Sequence, residues 1–339
     1  MSNPFFYGGR VSPRFFVGRT QQLRRIFSCL EIANTGQLQS VSVVGPHRSG
    51  RSSLLNYVVE KYDKFLQSPA SYRFAYVSPH DANCHTVAEF LCRVLDDLNL
   101  PLHTHHNVTL QEFQDAIVML NQGGVHPIIC LDEFEELLDS DSFSDEFFNV
   151  MRHLMSESSL AFVIASTEPL SELVSPDKYT SPFFNIFTIT EIGEFTPDEV
   201  GLLLQRGRQC DHPFRDSDIS HMRKLGEQHP YKLQLAGSLI YQAKAAGNVD
   251  WRGVERDFRA QLRQAGLVRN HSKTILQTLR AFVVSVGRAL LEIRRSRDEI
   301  SDSTAFLWGI GLIAFVLAIL FGLIPFSLFL KFGSHWLGG

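Results

Sequence analysis

The sequence predicts an α/β protein with a parallel five-stranded sheet flanked by helices, an all-helical lid and a C-terminal transmembrane helix. Three observations predict this architecture. A β-branched run at residues 41–44 enters a glycine-containing loop and then a helical pattern. Further short apolar runs ending in polar residues alternate with helical patterns, as in parallel sheets. Residues 305–330 carry no charged side chain, which is typical of a membrane span.

Composition restricts the class of protein. The chain has 339 residues, which is room for two soluble domains, and its 44% hydrophobic content suits a globular protein. Its net charge of −4 excludes the overall basic bias of many nucleic-acid-binding proteins. The 5 cysteines have no paired or metal-binding spacing, which indicates reduced thiols in a cytosolic body. The N-terminus lacks the pattern of a secretion signal.

The loop after the first strand has the spacing of a phosphate-binding loop. Its sequence, GPHRSGRS, fits G-x-x-x-x-G-K-[ST] except that Arg51 replaces the lysine. Gly45 and Gly50 would permit backbone conformations that side chains forbid. Loop amides and the N-terminus of the next helix would then bind an anion. The predicted nucleotide-binding residues are Gly45, Pro46, His47, Arg48, Ser49, Gly50, Arg51, Ser52 and Ser53. Ser52 is also a predicted Mg²⁺ ligand.

Arg51 departs from the motif at its catalytic lysine. The residue keeps the positive charge, but a planar guanidinium is wider than an ammonium group, and the two are not interchangeable at a tight site. Nucleotide binding can survive this replacement. Hydrolysis could be slow or absent.

A second chemical centre follows an apolar run at residues 127–131, about 80 residues after the loop. In a nucleotide-hydrolysing protein such a strand ends in the residues that manage magnesium and water. We predict that Asp132 orders Mg²⁺ and that Glu133 polarises the attacking water. Glu135 and Glu136 are expected on the next helix, facing solvent.

Three further strands and a glycine-arginine pair complete the predicted core. The strands lie at residues 72–77, 160–167 and 184–190. The 160–167 strand ends in Ser166 and Thr167, where one hydroxyl could sense the γ-phosphate or merely cap a helix or turn. Gly18-Arg19, one helix before the loop, could reach the nucleotide or form a packing turn. Both pairs of alternatives remain open at this stage.

The predicted domains follow from these elements and from capping signals. Thr196, Pro197 and Glu199 open a helix by the capping rules. Lid helices are expected at about 197–208, 216–225 and 231–245, with a break at 226–230. The predicted divisions are a lead-in at 1–40, the core at 41–195, the lid at 196–248, a helical connector at 249–303, the transmembrane helix at 304–331 and a tail at 332–339.

Together these residues resemble the STAND branch of the AAA+ P-loop ATPases, in the group that includes archaeal-type ATPases. The resemblance covers about residues 3–245 and rests on the phosphate loop and the acidic pair together with four further motifs. These are Asn3-Pro4-Phe5, Phe16-Val17-Gly18-Arg19, Phe195-Thr196-Pro197-Asp198-Glu199 and His229-Pro230-Tyr231.

The resemblance implies an ATP or ADP cofactor with Mg²⁺. It also implies that Arg19 contacts the nucleotide, and that His229 and Pro230 lie over the base or ribose and report whether ADP or ATP is bound. Besides Arg51, the chain departs from the family at Gln22, where an acidic residue is usual, and at Ser166-Thr167, which lacks an arginine. No arginine finger is assigned. The candidates are Arg152, Arg206 and Arg208.

The uncharged run predicts a single-pass membrane protein. At about 1.5 Å per residue its helix would extend about 39 Å, enough to cross a core of about 30 Å with tilt. Trp308 and Trp336 lie toward its ends, as interfacial aromatics do. Four arginines between residues 288 and 297 precede the span and only Lys331 follows it, so the ATPase body is predicted to be cytoplasmic.

Two functional hypotheses come from different classes. The first is a membrane-anchored nucleotide switch that couples ATP or ADP binding to homo-oligomerisation and signalling, including a role as a bacterial or archaeal defence effector. A small-residue stripe at Ala314, Ala318 and Gly322 favours helix association. The second is a hydrolysis-impaired scaffold that recruits a protein partner to membrane lipid. A DNA-associated AAA+ ATPase is a weaker third reading, and nucleic acid is not expected as a direct ligand.

Overall fold

Five parallel strands form the central sheet of the computed structural model, which describes residues 3–31, 37–79, 84–100, 107–174, 179–247 and 249–267. The sheet order is β2-β3-β4-β1-β5, and every neighbouring pair is parallel. This confirms the predicted α/β sheet. The strands are β1 (Val41–Val44), β2 (Tyr72–Val77), β3 (His126–Leu131), β4 (Ala161–Ser166) and β5 (Thr188–Glu191).

Helices cover both faces of the sheet. Every residue of β1 and β4 is buried, as expected for strands covered on both sides. Alternate side chains along β3 enter two separate cores, with Ile129 and Leu131 on one face and Ile128 and Cys130 on the other. The core helices are α1 (Thr20–Glu31), α2 (Arg51–Lys61), α3 (Val87–Asp97), α4 (Leu110–Gln122), α5 (Glu135–Asp139), α6 (Asp145–Ser156) and α7 (Leu170–Leu173).

The helical lid begins where the capping signals predict. Thr196 and Glu199 form a reciprocal capping box, with Pro197 as the first helical residue. Core, lid and the following helix belong to one compact unit that ends at residue 265. The lid helices are α8 (Pro197–Arg208), α9 (Asp216–Gly226) and α10 (Pro230–Ala245), and the connector begins with α11 (Trp251–Gln264).

Two local predictions were wrong, and one helix was missed. The fifth strand begins at Thr188 rather than at residue 184, because Phe183 and Phe184 lie in a 3-10 turn and pack into an aromatic cluster with Phe148. The helical pattern after the loop predicts one face formed by Leu55, Val58, Val59, Tyr62 and Phe65, but helix α2 ends at Lys61 and Leu54 joins its buried face. Helix α6 was not predicted.

The predicted lead-in packs against both the core and the lid. We call residues 3–19 the N-terminal strap. Asn3 Nδ2 donates to Ser238 Oγ of α10 at 2.9 Å, and the Phe6 amide donates to Gln234 Oε1 at 3.1 Å. At the other end, the Val11 amide donates to Ser53 Oγ of α2 at 3.0 Å. The strap therefore connects the lid to the helix that follows the phosphate loop.

Several predictions concern residues outside the described ranges. These are the part of the helical connector after residue 267, the transmembrane helix at 304–331 and the tail at 332–339. Within the described ranges, no helix combines the length and apolar character needed to span a bilayer.

Candidate functional site

The predicted polar segments meet at the carboxyl edge of the sheet. The phosphate loop follows β1, the acidic pair follows β3, and Thr167 follows β4, which lies between those two strands. Backbone hydrogen bonds continue past the strand ends and tie the segments together. The Gly45 amide donates to Ser166 O at 3.1 Å, and the Phe134 amide donates to Ala165 O at 3.2 Å. This edge, where the loops of parallel sheets bind ligands, therefore gathers the predicted groups.

The phosphate loop offers free donors at the start of α2. Gly50 is the N-cap, with φ of 99°, and has no side chain to cap the first-turn amides of Arg51, Ser52 and Ser53. The buried Ser49 hydroxyl makes no hydrogen bond to any described group. Uncapped amides at a helix N-terminus and an unpartnered buried hydroxyl fit an anionic group such as a phosphate.

The two loop glycines are required for different reasons. Gly50 adopts a left-handed backbone conformation, which glycine tolerates and residues with a side chain rarely adopt. Gly45 does not adopt a positive φ, so the expectation that it permits a forbidden conformation was wrong. A Cβ at Gly45 would instead lie 2.6 Å from Ile192 Cγ2 and closer still to the Ile192 backbone oxygen. Close packing against the chain after β5 requires this glycine.

Arg51 is buried and faces a carboxylate. Its Nη1 lies 3.5 Å from Glu135 Oε1, and the same oxygen accepts a hydrogen bond from the Thr167 amide. The expectation that Glu135 faces solvent was wrong, whereas Glu136 is exposed. Burial would raise the pKa of Glu135, but the hydrogen bonds from Thr167 and the charge of Arg51 bring it below its ordinary value. Glu135 is therefore an anion at neutral pH that joins three segments of the site.

Asp132 is buried beneath a tyrosine. Tyr76 Oη donates to Asp132 Oδ2 at 2.6 Å, and the Glu133 amide donates to Oδ1 at 3.1 Å. Burial, and then the charge of Asp132, raise the pKa of Tyr76 far above its ordinary value, so the phenol remains a donor. The Arg10 guanidinium of the strap lies 4.6 Å from the Tyr76 ring centroid. Sequence reasoning missed Tyr76, because no local pattern shows that β2 lies beside β3.

The magnesium prediction fits the donors that are present. Mg²⁺ is commonly held by one or two carboxylates together with phosphate oxygens and water. No group of three or more His, Cys, Asp or Glu side chains in the described part of the chain could hold a metal alone. Asp132 and the half-buried Ser52 would therefore need a nucleotide to complete the coordination. Glu133 accepts a 3.4 Å hydrogen bond from Ser78 Oγ.

The serine and threonine after β4 have separate surroundings. Ser166 is fully buried, and its Oγ donates to Glu168 O at 2.7 Å. This contact corresponds to the alternative in which the hydroxyl caps a turn and does not sense the γ-phosphate. Thr167 is half-buried and reaches Glu135 through its amide. In the phosphate loop, Pro46 and His47 are exposed. Ser53 accepts the strap amide described above.

Arg19 connects the phosphate loop to the chain entering the lid. The side chain is buried, and its guanidinium donates to Ser49 O at 2.9 Å, Gly193 O at 2.6 Å and Glu194 O at 3.2 Å. It also lies 4.6 Å from the Phe195 ring centroid. Burial lowers the pKa of Arg19 to about 10, opposed by the charge of Glu199, so it remains a cation. The described contacts thus engage Arg19 with protein carbonyl groups.

The lid contributes the predicted histidine-proline break. His229 is the N-cap of α10 and Pro230 its first residue. His229 Nδ1 is buried and has no described hydrogen-bond partner. Burial first, and then the charge of Lys232, lower the pKa of His229, which favours the neutral ring. Arg48 of the phosphate loop lies 4.5 Å from the Tyr231 ring centroid. The loop and the break are therefore neighbours.

Positive φ angles cluster among the predicted site residues. The non-glycine residues with this conformation in the described chain include Arg19 (59°), Arg48 (63°) and Glu133 (49°). Such angles persist where the surrounding structure enforces them, and they concentrate at functional sites.

Two of the candidate arginine fingers make contacts within the chain. Arg206 Nη1 donates to Phe15 O at 2.5 Å, and Arg208 Nη2 lies 2.6 Å from Asp216 Oδ1. The Nε atom of Arg152 is buried without a described partner. None is assigned as a finger.

The parallel sheet, together with the loop between β1 and α2, has the arrangement of a P-loop NTPase fold. Residues 16–182 match a family described as an ATPase domain predominantly from Archaea. This segment of the chain is therefore similar to that ATPase domain. No curated protein gave a significant match.

Solved structures agree on the fold. The ORC2 protein of Aeropyrum pernix, described as ADPNP-ADP complexes, superposes with a TM-score of 0.58 at 15% identity and covers 76% of this chain and 71% of its own. A Walker-type ATPase of Pyrococcus abyssi gives a TM-score of 0.58 at 16% identity, covering 87% and 80%. The ORC1 protein of Aeropyrum pernix in complex with DNA gives 0.55 at 13% identity, covering 87% and 82%. At these identities the similarity concerns the fold alone.

Proposed function

We propose that this protein is a nucleotide-dependent switch that binds ATP or ADP with Mg²⁺ between its α/β core and its lid. The observation that carries the proposal is the Arg19 guanidinium, which joins Ser49 O of the phosphate loop to Gly193 O and Glu194 O before the lid. A loop that adjusts to a phosphate would change these bonds. A ligand shifts a conformational equilibrium only through such differential contacts.

The finer assignment to the STAND branch rests on the sequence motifs. In that reading the ADP-bound protein is closed, and exchange for ATP promotes homo-oligomerisation and signalling to a protein partner. A defence role is implied by the resemblance alone. The competing function is a scaffold with structural nucleotide, and the arginine at position 51 is the observation that favours it.

Turnover measurements separate the switch from the scaffold. Protein purified without added nucleotide should release ADP or ATP on denaturation. Wild-type protein should hydrolyse ATP slowly with Mg²⁺, and Glu133→Gln should lower kcat by about 100-fold or more, because water activation contributes about 10²–10⁴-fold. The affinity of Glu133→Gln for nucleotide should differ little from that of the wild type. If neither wild type nor Arg51→Lys turns over ATP, the scaffold is the better description.

Membrane anchoring through residues 304–331 is part of the proposal. Its support is the uncharged run and the arginines that precede it. Leu317→Arg combined with Leu320→Arg would put two charges near the middle of the span, each costing about 3 kcal/mol there. We expect this variant to leave the membrane fraction, and Ser334→Arg, the control beyond the span, to remain in it. Equal partitioning of both variants would contradict the anchor.

A further inference from the structure

The buried Arg51 guanidinium requires a counter-charge even when no nucleotide is bound. Its side chain is 8% exposed, and arginine stays protonated at any relevant pH. A buried charge is tolerated only when it is paired and hydrogen-bonded. Glu135 supplies the negative charge, at 3.5 Å from Nη1. Any phosphate that binds Arg51 must therefore compete with Glu135.

Glu135 is held in place independently of Arg51. It is the first residue of α5, and the preceding turn is fixed by the Phe134 amide on Ala165 O. The Phe134 ring is itself buried. The Glu135 carboxylate also accepts the Thr167 amide. Because these bonds anchor Glu135 to β4, an arginine that moves toward a phosphate leaves the carboxylate behind.

The planar fork of arginine suits this arrangement. A guanidinium carries five N–H donors spread over two ends, so it can face a carboxylate to one side and an anion in front. An ammonium is a single point charge and lacks this lateral reach. The pairing therefore gives a physical reason for arginine where the motif has lysine.

We propose that Glu135 is an internal substitute for the terminal phosphate of the nucleotide: it holds Arg51 until a triphosphate displaces it. The proposal rests on the proposed nucleotide site and adds its regulation. Glu135 acts through Arg51, so it is a positioning residue. Its effect is to weaken triphosphate binding more than diphosphate binding, because the γ-phosphate is a further group that competes for Arg51, whereas ADP offers only its β-phosphate.

The test titrates full-length variants with ADP and with AMP-PNP, a non-hydrolysable ATP analogue, in the presence of Mg²⁺. Glu135→Gln removes the charge but leaves an oxygen for the Thr167 amide, which favours retention of the fold. If Arg51 is held about nine-tenths of the time, its release should tighten AMP-PNP binding about 10-fold. ADP affinity should change several-fold less than AMP-PNP affinity. Glu136→Gln, one residue further on and exposed, is the matched control and should behave as wild type.

Two further variants separate this role from a general structural effect. Glu135→Asp withdraws the carboxylate from Arg51 and should shift AMP-PNP affinity in the same direction as Glu135→Gln. In an Arg51→Gln background, adding Glu135→Gln should change AMP-PNP affinity by less than about 2-fold, since no guanidinium remains to be released.

Each outcome decides the matter. Selective tightening for AMP-PNP that requires Arg51 supports the proposal, and binding of AMP-PNP by Glu135→Gln but not by wild type would support it most strongly. Unchanged or weaker AMP-PNP binding in Glu135→Gln overturns it while the nucleotide site stands. If neither wild type nor any variant binds ADP or AMP-PNP, the proposed function fails, and the role of Glu135 fails with it.

Discussion

Alanine at position 45 is expected to lower the free energy of unfolding of the ATPase domain by about 3 kcal/mol and to abolish nucleotide binding. The added Cβ would lie 2.6 Å from Ile192 Cγ2 and even closer to the Ile192 carbonyl oxygen. That carbonyl cannot easily retreat, because the Ile192 amide is bonded to Val44 O at 2.8 Å. Overpacking typically costs about 1–3 kcal/mol, and an immobile backbone neighbour places this site at the upper end.

Urea denaturation of Gly45→Ala beside Gly201→Ala provides the measurement. Gly201 lies within α8, where a Cβ would meet nothing within 4 Å. Alanine there should stabilise the protein by about 0.5–1 kcal/mol, because glycine loses more backbone entropy in a helix. If Gly45→Ala unfolded at the wild-type midpoint and still bound nucleotide, the loop would not pack against Ile192 as described.

Gly45 also shows what local sequence could predict about the site. Its place in the loop is visible from spacing alone, because strand, glycine loop and helix are contiguous. The reason why a glycine is required there is not visible in the sequence. Ile192 is distant in the chain, and the β1–β5 pairing brings it next to Gly45. The same applies to Glu135: the alternation of helix and strand placed it on a helix, but its neighbours Arg51 and Thr167 come from other segments. Tyr76 was missed for the same reason.

The fold was predictable where neighbours in sequence determine the structure. The Thr196–Glu199 capping box set the start of α8, and buried apolar runs located β1, β3 and β4. The prediction of β5 was wrong because tertiary packing overrode a strand-like composition at Phe183 and Phe184. Helix α6 had a usable signal that was overlooked, since its buried residues recur at helical spacing. These are Phe147, Phe148, Met151, Leu154 and Met155.

Leucine at position 19 is expected to destabilise the protein by about 3 kcal/mol even in the absence of nucleotide. The Arg19 guanidinium donates to three backbone carbonyl groups, those of Ser49, Gly193 and Glu194. The bond to Ser49 O is buried, and removing its charged donor leaves that carbonyl unsatisfied at a cost of about 1–3 kcal/mol, to which the two part-buried bonds add a smaller amount. Arg19→Lys should lower the free energy of unfolding by about half as much, because lysine keeps the charge but lacks the several N–H donors of the planar guanidinium.

Measuring stability without and with nucleotide distinguishes two roles for Arg19, nucleotide binding and connection of the loop to the lid. The family resemblance assigns Arg19 to the nucleotide, and a residue with that role alone would affect affinity but not the stability of nucleotide-free protein. The described contacts instead make Arg19 part of the connection between the loop and the lid. Urea denaturation of Arg19→Leu beside Arg24→Leu, an exposed arginine of the helix that follows Arg19, separates the two roles. Equal midpoints for both variants without nucleotide would show that the loop-to-lid connection does not depend on Arg19.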